Sequence, residues 1–182
     1  MNKIATPIEG LFVLEPKVHV DTRGHFVETF NQRMFDSLGL DYHFVQDNES
    51  FSHRGSLRGL HFQKGTSAQA KLVRAVEGEI LDVAVDLRKD SPTFGHSFAQ
   101  HLSGKNKLQL LIPRGFAHGF SVLSETARVI YKCDGFYDAK AEGGIHFADP
   151  DLNIDWLIPA EEAIVSPKDQ RLPKFQEIRE QL

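Results

Sequence analysis

Ile80-Leu-Asp-Val-Ala-Val-Asp-Leu87 is the stretch that decides the fold, because positions 81, 83, 85 and 87 are apolar and positions 82 and 86 are acidic. Alternation with a period of two is typical of a β-strand with one buried face. A second strand-like run, Lys71–Val76, lies just upstream, and Glu77-Gly78 between the runs predicts a tight hairpin turn. The sequence therefore predicts neighbouring half-buried strands as the basic unit of the fold.

Similar short runs recur along the chain, and turn signals such as Asp-Ser-Pro at 90–92 and Pro-Arg-Gly at 113–115 separate them. The further predicted strands are Gly10–Val20, His25–Thr29, Phe44–Phe51, Ser97–Leu102, Gln109–Ile112, Gly119–Leu123, Arg128–Cys133 and Gly144–Phe147. Helices are predicted only at Asn31–Leu38, with Asn31 as N-cap, and at Pro173–Leu182. About ten short strands without a βαβ rhythm indicate an all-β antiparallel sandwich or barrel, which we expect to form a single domain over residues 1–182.

The overall charge of the chain excludes some classes of function. Its net charge is −4 and its pI is about 6.1, which argues against a nucleic-acid-binding or membrane-surface protein. No apolar run approaches the roughly 20 residues of a membrane span, and we expect no signal peptide before Ile4. The single cysteine, Cys133, fits a reducing compartment, so a cytoplasmic protein is expected.

Residues 56–63, Ser-Leu-Arg-Gly-Leu-His-Phe-Gln, place Arg58 and His61 inside an otherwise apolar, strand-like run. Burying such groups unpaired costs several kcal/mol, so two in one strand predict a lined pocket rather than a packed core. Lys71 begins the next strand, and pairing of the two strands would present all three groups to one cavity. In that cavity His61 could remove a proton next to a carbonyl while Lys71 stabilises the enolate oxygen. The alternatives are a structural histidine and a strand-edge lysine facing water.

Two later residues could complete such a site. A base histidine needs an acceptor on its other ring nitrogen, and Asp169 could supply it, although a solvated turn aspartate is the simpler interpretation. Tyr131 alternates with the apolar Val129 and Cys133, which predicts that it points into the barrel. There it could pack in the core or deliver a proton to the face opposite the base.

A metal site is the main chemical alternative. Gly55 to His61 and Pro113 to His118 are similar to the two metal-binding motifs of cupins. The first motif needs a second His where this chain has Gln63, and a Glu that residues 67–69 do not offer. Two imidazoles without a carboxylate make a poor site for a divalent metal, so a cupin without metal is expected.

Nine motifs that follow in register over residues 7–173 resemble the dTDP-4-dehydrorhamnose 3,5-epimerase family, nucleotide-sugar epimerases of the cupin class. The motifs are DTRGHF (21–26), QDN (46–48), GSLRGLHFQ (55–63), KLV (71–73), DLRKDSPTFG (86–95), IPRGFAHGF (112–120), YK (131–132), DPDLNIDW (149–156) and SPKD (166–169). No single motif is decisive, but nine in order are highly specific. Phe136 stands where many members of the family have a second tyrosine.

The resemblance implies a double-stranded β-helix, or jelly roll, that works as a homodimer with no metal and no redox cofactor. It implies His61 as the general base, Asp169 as its orienting partner, Tyr131 as the proton donor on the opposite face and Lys71 as the enolate stabiliser. Tyr137 matches an aromatic residue that stacks on the thymine. The other positions that match nucleotide-sugar contacts are Arg23, Glu28, Gln46, Asn48, Arg58, Lys71, His118, Glu142 and Lys168.

The implied reaction inverts C3 and C5 of dTDP-4-keto-6-deoxyglucose and gives dTDP-4-keto-L-rhamnose, in dTDP-L-rhamnose biosynthesis. Both carbons flank the C4 ketone, so one base, one acid and one oxyanion site can serve both in turn. The alternative within the class is a mono-epimerase that acts at C3 or C5 only, on a related dTDP-4-keto-deoxysugar. A metal-dependent cupin and a non-catalytic sugar-binding module are less favoured, because metal ligands are missing and the base, acid and oxyanion groups are all present.

Overall fold

The computed structural model describes residues 1–182, apart from the side chain of residue 160, and consists mainly of β-strands. The strands are β1 (Asn2–Ala5), β2 (Phe12–Glu15), β3 (Val18–Asp21), β4 (Gly24–Val27), β5 (Gln46–His53), β6 (Ser56–Gln63), β7 (Lys71–Glu77), β8 (Glu79–Asp86), β9 (Ser97–Ser103), β10 (Gln109–Ile112), β11 (Phe116–Val122), β12 (Thr126–Cys133), β13 (Glu142–Gly144) and β14 (Ile164–Val165). The α-helices are α1 (Gln32–Ser37) and α2 (Phe175–Ile178), and 3-10 turns span Gly65–Ser67, Ala160–Glu162, Asp169–Arg171 and Arg179–Gln181. The predicted all-β fold with a short helix near each end is confirmed.

The strands form two facing sheets. The first sheet has the order β1-β2-β10-β7-β12-β5, and the second has the order β13-β6-β11-β8-β9, with β14 parallel to β6. The β3–β4 hairpin stands apart from both sheets. From β5 to β8 and from β10 to β13, successive strands alternate between the sheets, which is the chain course of a double-stranded β-helix. In the described part of the chain, no helix is long and apolar enough to cross a membrane.

Two hydrophobic clusters hold the second sheet from both sides. Between the sheets, Ile80 and Phe120 of the second sheet pack with Val73 and Val129 of the first. On the outer face of the second sheet, alternate residues of β6 and β8 pack against the C-terminal segment, including Trp156. Because β8 and β11 in the middle of this sheet are covered on both faces, their polar side chains beyond Glu79 are buried.

Strand β8 departs from the prediction in two ways. It is buried on both faces rather than half buried, and Asp82 and Asp86 are both 0% exposed. The predicted hairpin at Glu77-Gly78 is also wrong, because β7 and β8 belong to different sheets. Gly78 has φ +71°, and a Cβ there would lie 2.0 Å from the carbonyl oxygen of Thr126, so this glycine forms a tight corner between the sheets.

Element boundaries differ from the sequence pattern where local chemistry intervenes. The run Gly10–Val20 divides into β2 and β3 around Pro16, which has no N–H to donate to a sheet. Helix α1 begins one residue after the predicted start, since Asn31 is its N-cap and accepts a hydrogen bond from the Met34 N–H at 3.4 Å. Strand β1 was not predicted, because its four residues are all exposed and carry no buried-face pattern.

Strand β6 contains one residue more than its neighbour β11. His118 pairs with His61 and Phe120 pairs with Arg58, so two steps along β11 correspond to three along β6. In a regular strand, side chains three positions apart lie on opposite faces. The bulge removes that offset, so Arg58 and His61 lie on the same face, towards the first sheet.

Gly59 makes this bulge sterically possible. Its φ is +121°, and a Cβ on it would lie 2.5 Å from the Gly119 Cα and 2.8 Å from the His118 carbonyl oxygen. Only glycine combines that backbone conformation with so close an approach of two strands.

Asp86 is the last residue of β8, and its side chain fixes the loop that follows. It accepts hydrogen bonds from Arg88 Nε at 2.8 Å, Ser91 Oγ at 2.6 Å and Thr93 Oγ1 at 2.7 Å. Burial alone raises the pKa of Asp86, but these hydrogen bonds outweigh it and lower the pKa to about 2. The charged form therefore stabilises the fold above the ordinary pKa of 3.8, and this contribution is lost as the pH falls towards 2.

Gly59→Ala should destabilise the protein by about 3 kcal/mol or more, because backbone strain adds to the overlap of the new Cβ with β11. Urea unfolding followed by circular dichroism measures this loss. Gly65→Ala is the matched control: Gly65 has φ +55°, a Cβ there would meet nothing within 4 Å, and the strain alone costs about 1 kcal/mol. Equal losses in the two variants would show that the close approach of β6 and β11 is not a constraint.

Candidate active site

A cavity of about 600 Å³ opens between the two sheets. Arg58 and His61 line it from β6, and Lys71 and Tyr131 line it from β7 and β12 of the first sheet. The predicted pairing of β6 with β7 is therefore wrong, although both strands do contribute to one cavity. The two strands face each other across it, so a ligand between them would meet His61 on one side and Lys71 and Tyr131 on the other.

The loop that follows β14 closes one side of the cavity and brings Asp169 to His61. His61 Nε2 lies 2.7 Å from Asp169 Oδ1, and the Asp169 side chain is 6% exposed. The other carboxylate oxygen accepts from the Gly59 N–H at 3.4 Å, and the Asp169 N–H donates to Ser166 Oγ at 3.0 Å. Since a carboxylate only accepts, Nε2 carries the hydrogen, which leaves Nδ1 as the nitrogen that can act as a base.

Lys71 is a partly buried amine. Burial lowers its pKa, and nearby negative charge from Cys133, Asp82 and Glu142 acts in the opposite direction. Burial also raises the pKa of the Cys133 thiol, so at neutral pH the carboxylates are the charges that matter. Lys71 Nζ lies 5.9 Å from the centre of the Tyr131 ring, which places these two side chains together on the first sheet.

The phenol of Tyr131 faces the same cavity. Burial is the largest cause of its raised pKa, since the charged phenolate is poorly solvated there. The hydroxyl is therefore protonated at neutral pH, which is the form that a proton donor needs.

His118 pairs directly with His61 across β11 and β6, and it is held by a carboxylate of its own. Its Nε2 lies 2.7 Å from Asp82 Oδ1, and the two side chains are 7% and 0% exposed. Burial is the largest cause of the lowered pKa of His118, so its ring is neutral at neutral pH. Both histidines that match cupin metal ligands thus have Nε2 committed to an aspartate. Among the residues described, no three His, Cys, Asp or Glu side chains are grouped as a metal site.

A second cavity of about 300 Å³ adjoins the first and shares His61, Lys71 and Tyr131 with it. Gln46, Asn48, Tyr137 and Glu142 also line it. Here Tyr137 donates to Glu142 Oε2 at 2.9 Å, and Lys168 Nζ pairs with the same oxygen at 2.6 Å. This ion pair lowers the pKa of Glu142 and raises that of Lys168, so both remain charged at neutral pH.

The hydrogen bonds of Gln46 order the mouth of the second cavity. Its amide donates to Asn48 Oδ1 at 3.0 Å and accepts from the Tyr137 N–H at 3.1 Å. The Tyr137 side chain is largely exposed, so one face of its ring is available to a flat ligand.

Two predicted ligand residues lie outside both cavities. Arg23, in the turn between β3 and β4, pairs with Asp21 at 2.6 Å and has a side chain that is 88% exposed. Glu28 is also exposed and accepts from Asn31 Nδ2 at 3.3 Å. The fold of one chain therefore brings together every other predicted site residue but not these two.

Some cavity residues were missed from the sequence. Ser50 and Ser56 line the larger cavity, and Asp82 lies behind it under His118. The alternation of Gln46, Asn48, Ser50 and Ser52 along β5 was the available signal for Ser50, since it places a row of polar side chains on one face. Asp82 gave no such signal, because an acidic residue in an alternating strand is usually solvated.

Comparisons with known proteins agree on one family. The family model for dTDP-4-dehydrorhamnose 3,5-epimerase matches residues 5–177. The chain is 51% identical over 176 residues to a dTDP-4-dehydrorhamnose 3,5-epimerase of Shigella flexneri, which covers 96% of each protein.

Two crystal structures have closely similar folds. One is a dTDP-4-dehydrorhamnose 3,5-epimerase from Elizabethkingia anophelis, with a TM-score of 0.93, 54% identity and 97% of each chain covered. The other is a dTDP-6-deoxy-D-glucose-3,5-epimerase from Legionella pneumophila in complex with dTDP-4-keto-L-rhamnose, with a TM-score of 0.93, 47% identity, and 97% of this chain and 94% of that chain covered.

Proposed function

Because the chain belongs to the dTDP-4-dehydrorhamnose 3,5-epimerase family, we propose that it is an isomerase that inverts C3 and C5 of dTDP-4-keto-6-deoxyglucose. The product would be dTDP-4-keto-L-rhamnose, which is the ligand in the Legionella pneumophila structure. The enzyme would then act in dTDP-L-rhamnose biosynthesis. The observation that carries the proposal is the His61–Asp169 pair, which faces Lys71 and Tyr131 across one cavity.

The first step is proton removal by His61. The Nδ1 lone pair takes the proton from C5 or C3, and the Asp169 carboxylate stabilises the imidazolium that forms. Asp169 itself is held by the Gly59 N–H and by Ser166, so the ring is fixed in the orientation that the step requires.

Lys71 receives the charge that moves onto the C4 oxygen. As the proton leaves, the ketone becomes an enolate, and an ammonium group in a buried site stabilises it more strongly than one in water. Burial of Lys71 and the nearby carboxylates Asp82 and Glu142 are the support for this role.

Tyr131 completes the inversion from the opposite side. His61 comes from the second sheet and Tyr131 from the first, so a proton removed on one face of the sugar can be replaced on the other. Because burial keeps the phenol protonated, it can donate to the enolate carbon. C3 and C5 both flank the ketone, so the same three groups serve both centres in turn, once His61 has released its proton to solvent and Tyr131 has regained one.

The smaller cavity is the proposed site of the nucleotide. Its exposed Tyr137 ring would stack on the thymine, and the amides of Gln46 and Asn48 supply hydrogen-bond partners. Lys168, Arg58 and His118 line the larger cavity and are available to the diphosphate and the sugar. A ligand that spans both cavities would therefore place its sugar ring between His61 and Tyr131.

A homodimer would supply the two ligand residues that one chain leaves outside the cavities. The β3–β4 hairpin exposes Val20 and Phe26, which are 78% and 68% exposed, and it carries Arg23 at its turn. In a two-fold dimer, the hairpin of one copy would cover its apolar face on the other copy and bring Arg23 and Glu28 to the cavity of that other copy.

The buried free thiol of Cys133 is consistent with a reducing cytoplasm, where we place the enzyme.

Incubation with dTDP-4-keto-6-deoxyglucose in deuterium oxide should introduce deuterium at both C3 and C5, as measured by NMR. His61→Asn should slow exchange at both positions by on the order of 10²–10⁴-fold, because the general base is lost. His53→Asn, a change at an exposed histidine on β5, is the matched control and should leave exchange unchanged. Deuterium at a single carbon would favour a mono-epimerase, and none at either carbon would refute the proposed activity.

Mixing two inactive variants tests the dimer. Arg23→Ala and His61→Asn should each have low activity, but mixed dimers would contain one site with both residues intact. An equal mixture that is unfolded and refolded together should recover about a quarter of wild-type turnover. His61→Asn mixed with Tyr131→Phe should recover nothing, because both residues come from the same chain at each site. A first mixture that stays at the average of its two variants would contradict the shared site.

A further inference from the structure

Asp82 is buried without complete hydrogen bonding. Its Oδ1 accepts from His118, whereas Oδ2 has no hydrogen-bond partner among the described residues. On the inner face of β8 it lies between Ile80 and Ala84, which are both in the apolar core, and Asp86 ends the strand on the same face. A buried carboxylate with one free oxygen destabilises a fold, and an apolar residue would pack there at lower cost. The position therefore calls for an explanation beyond packing.

Asp82 and Asp86 lie on the same strand and are both fully buried, but their surroundings differ. Asp86 is saturated by Arg88, Ser91 and Thr93 and anchors a loop. Asp82 has only the neutral imidazole of His118, so its charge is not neutralised locally. Lys71 lines the same cavity as His118, is partly buried, has no ion-pair partner among the described residues, and feels the charge of Asp82.

We propose that Asp82 is a positioning residue: it holds the hydrogen on His118 Nε2, and it supplies the buried negative charge that keeps Lys71 cationic. This proposal rests on the proposed epimerase function, since it assigns Asp82 a part in preparing the enolate site. With the hydrogen held on Nε2, His118 presents Nδ1 as an acceptor, suited to a sugar hydroxyl rather than to the enolate oxygen. Lys71 is then the group that binds the enolate oxygen as its negative charge develops.

Other titratable groups surround Lys71, and their contributions differ from that of Asp82. Cys133 and Tyr131 are neutral at neutral pH because burial raises the pKa of both, and Glu142 is already paired with Lys168. His61 and His118 can only add positive charge. The charged and titratable groups that line the cavities with Lys71 come from β6 (Arg58, His61), β11 (His118), β12 (Tyr131, Cys133), β13 (Glu142), the loop before β13 (Tyr137) and the loop after β14 (Lys168, Asp169), and Asp82 of β8 lies behind His118. Asp169 has both oxygens hydrogen-bonded, to His61 and to the Gly59 N–H, whereas Oδ2 of Asp82 has no partner among the described residues.

The test is the pH profile of kcat/KM for Asp82→Asn, with Asp86→Asn as the control from the same strand. Removing the charge at Asp82 should move the alkaline limit of activity to lower pH by about one unit or more, because Lys71 then loses its proton more easily. Asp86→Asn should lower the thermal midpoint and leave the alkaline limit unchanged. An Asp82→Asn enzyme that loses activity equally at every pH would overturn the role in Lys71 ionisation.

A second measurement uses the wild-type protein, so it does not depend on folding of the variant or on turnover. NMR of the protein with ¹⁵N-labelled histidine should show His118 as the neutral Nε2–H tautomer at neutral pH, because burial lowers its pKa. A His118 ring that is cationic at neutral pH, or that carries its hydrogen on Nδ1, would overturn the positioning role. Since this readout needs no substrate, it separates failure of this inference from failure of the proposed function.

Discussion

The close approach of β6 and β11 at Gly59 and Gly119 is the constraint on which the site depends. A strand with regular alternation would turn either Arg58 or His61 away from the cavity, because the two residues are three positions apart. The extra residue in β6 removes this conflict, and it is possible only where no Cβ stands between the strands. The same glycine donates its N–H to Asp169, so the backbone that places the proposed base also contacts the carboxylate that orients it.

Burial then determines the protonation states of the groups that face His61. Desolvation disfavours every charged form, so it raises the pKa of Tyr131 and lowers that of Lys71. A neutral phenol is what proton donation needs, whereas an enolate site needs a charged ammonium. The two side chains share one environment, and only Lys71 needs nearby negative charge to stay in the form that the reaction requires. The carboxylate of Asp82, with one oxygen unpartnered among the described residues, provides it, which accounts for an acidic residue between the core residues Ile80 and Ala84.

The sequence pattern was most informative where periodicity and chemistry agreed. Alternation around Tyr131 predicted a side chain inside the barrel, and polar groups in an apolar strand predicted a pocket at Arg58 and His61. The sequence pattern does not show which residues far apart in the chain contact one another. Glu77-Gly78 has the local chemistry of a hairpin, and only the partner strands show that it is a corner. Alternation predicts that Asp82 lies on the solvent face of a half-buried strand, and nothing local shows that the first sheet packs over that face, where Ile80 and Ala84 lie in the core.

The resemblance to the family also assigns ligand contacts to two residues that lie outside the cavities of a single chain. Arg23 and Glu28 match nucleotide-sugar contacts, yet both lie on or beside an exposed hairpin outside the cavities. Matching a residue to the family indicates its role, but it does not show which copy of the chain supplies that residue to a given site. The exposed Val20 and Phe26 of this hairpin, with a cation at its tip, are the observations that support the proposed second copy.

The central claim is that base and acid act from opposite sheets, and the most direct test compares exchange with inversion in Tyr131→Phe. With the donor removed, His61 can still take a proton and return deuterium from solvent to the same face. Deuterium should therefore enter at C5 or C3 at a substantial rate while the configuration is retained, as NMR of the sugar would show. Tyr137→Phe, which leaves the proposed donor intact, should still invert. A Tyr131→Phe enzyme in which exchange falls as far as inversion would contradict the account.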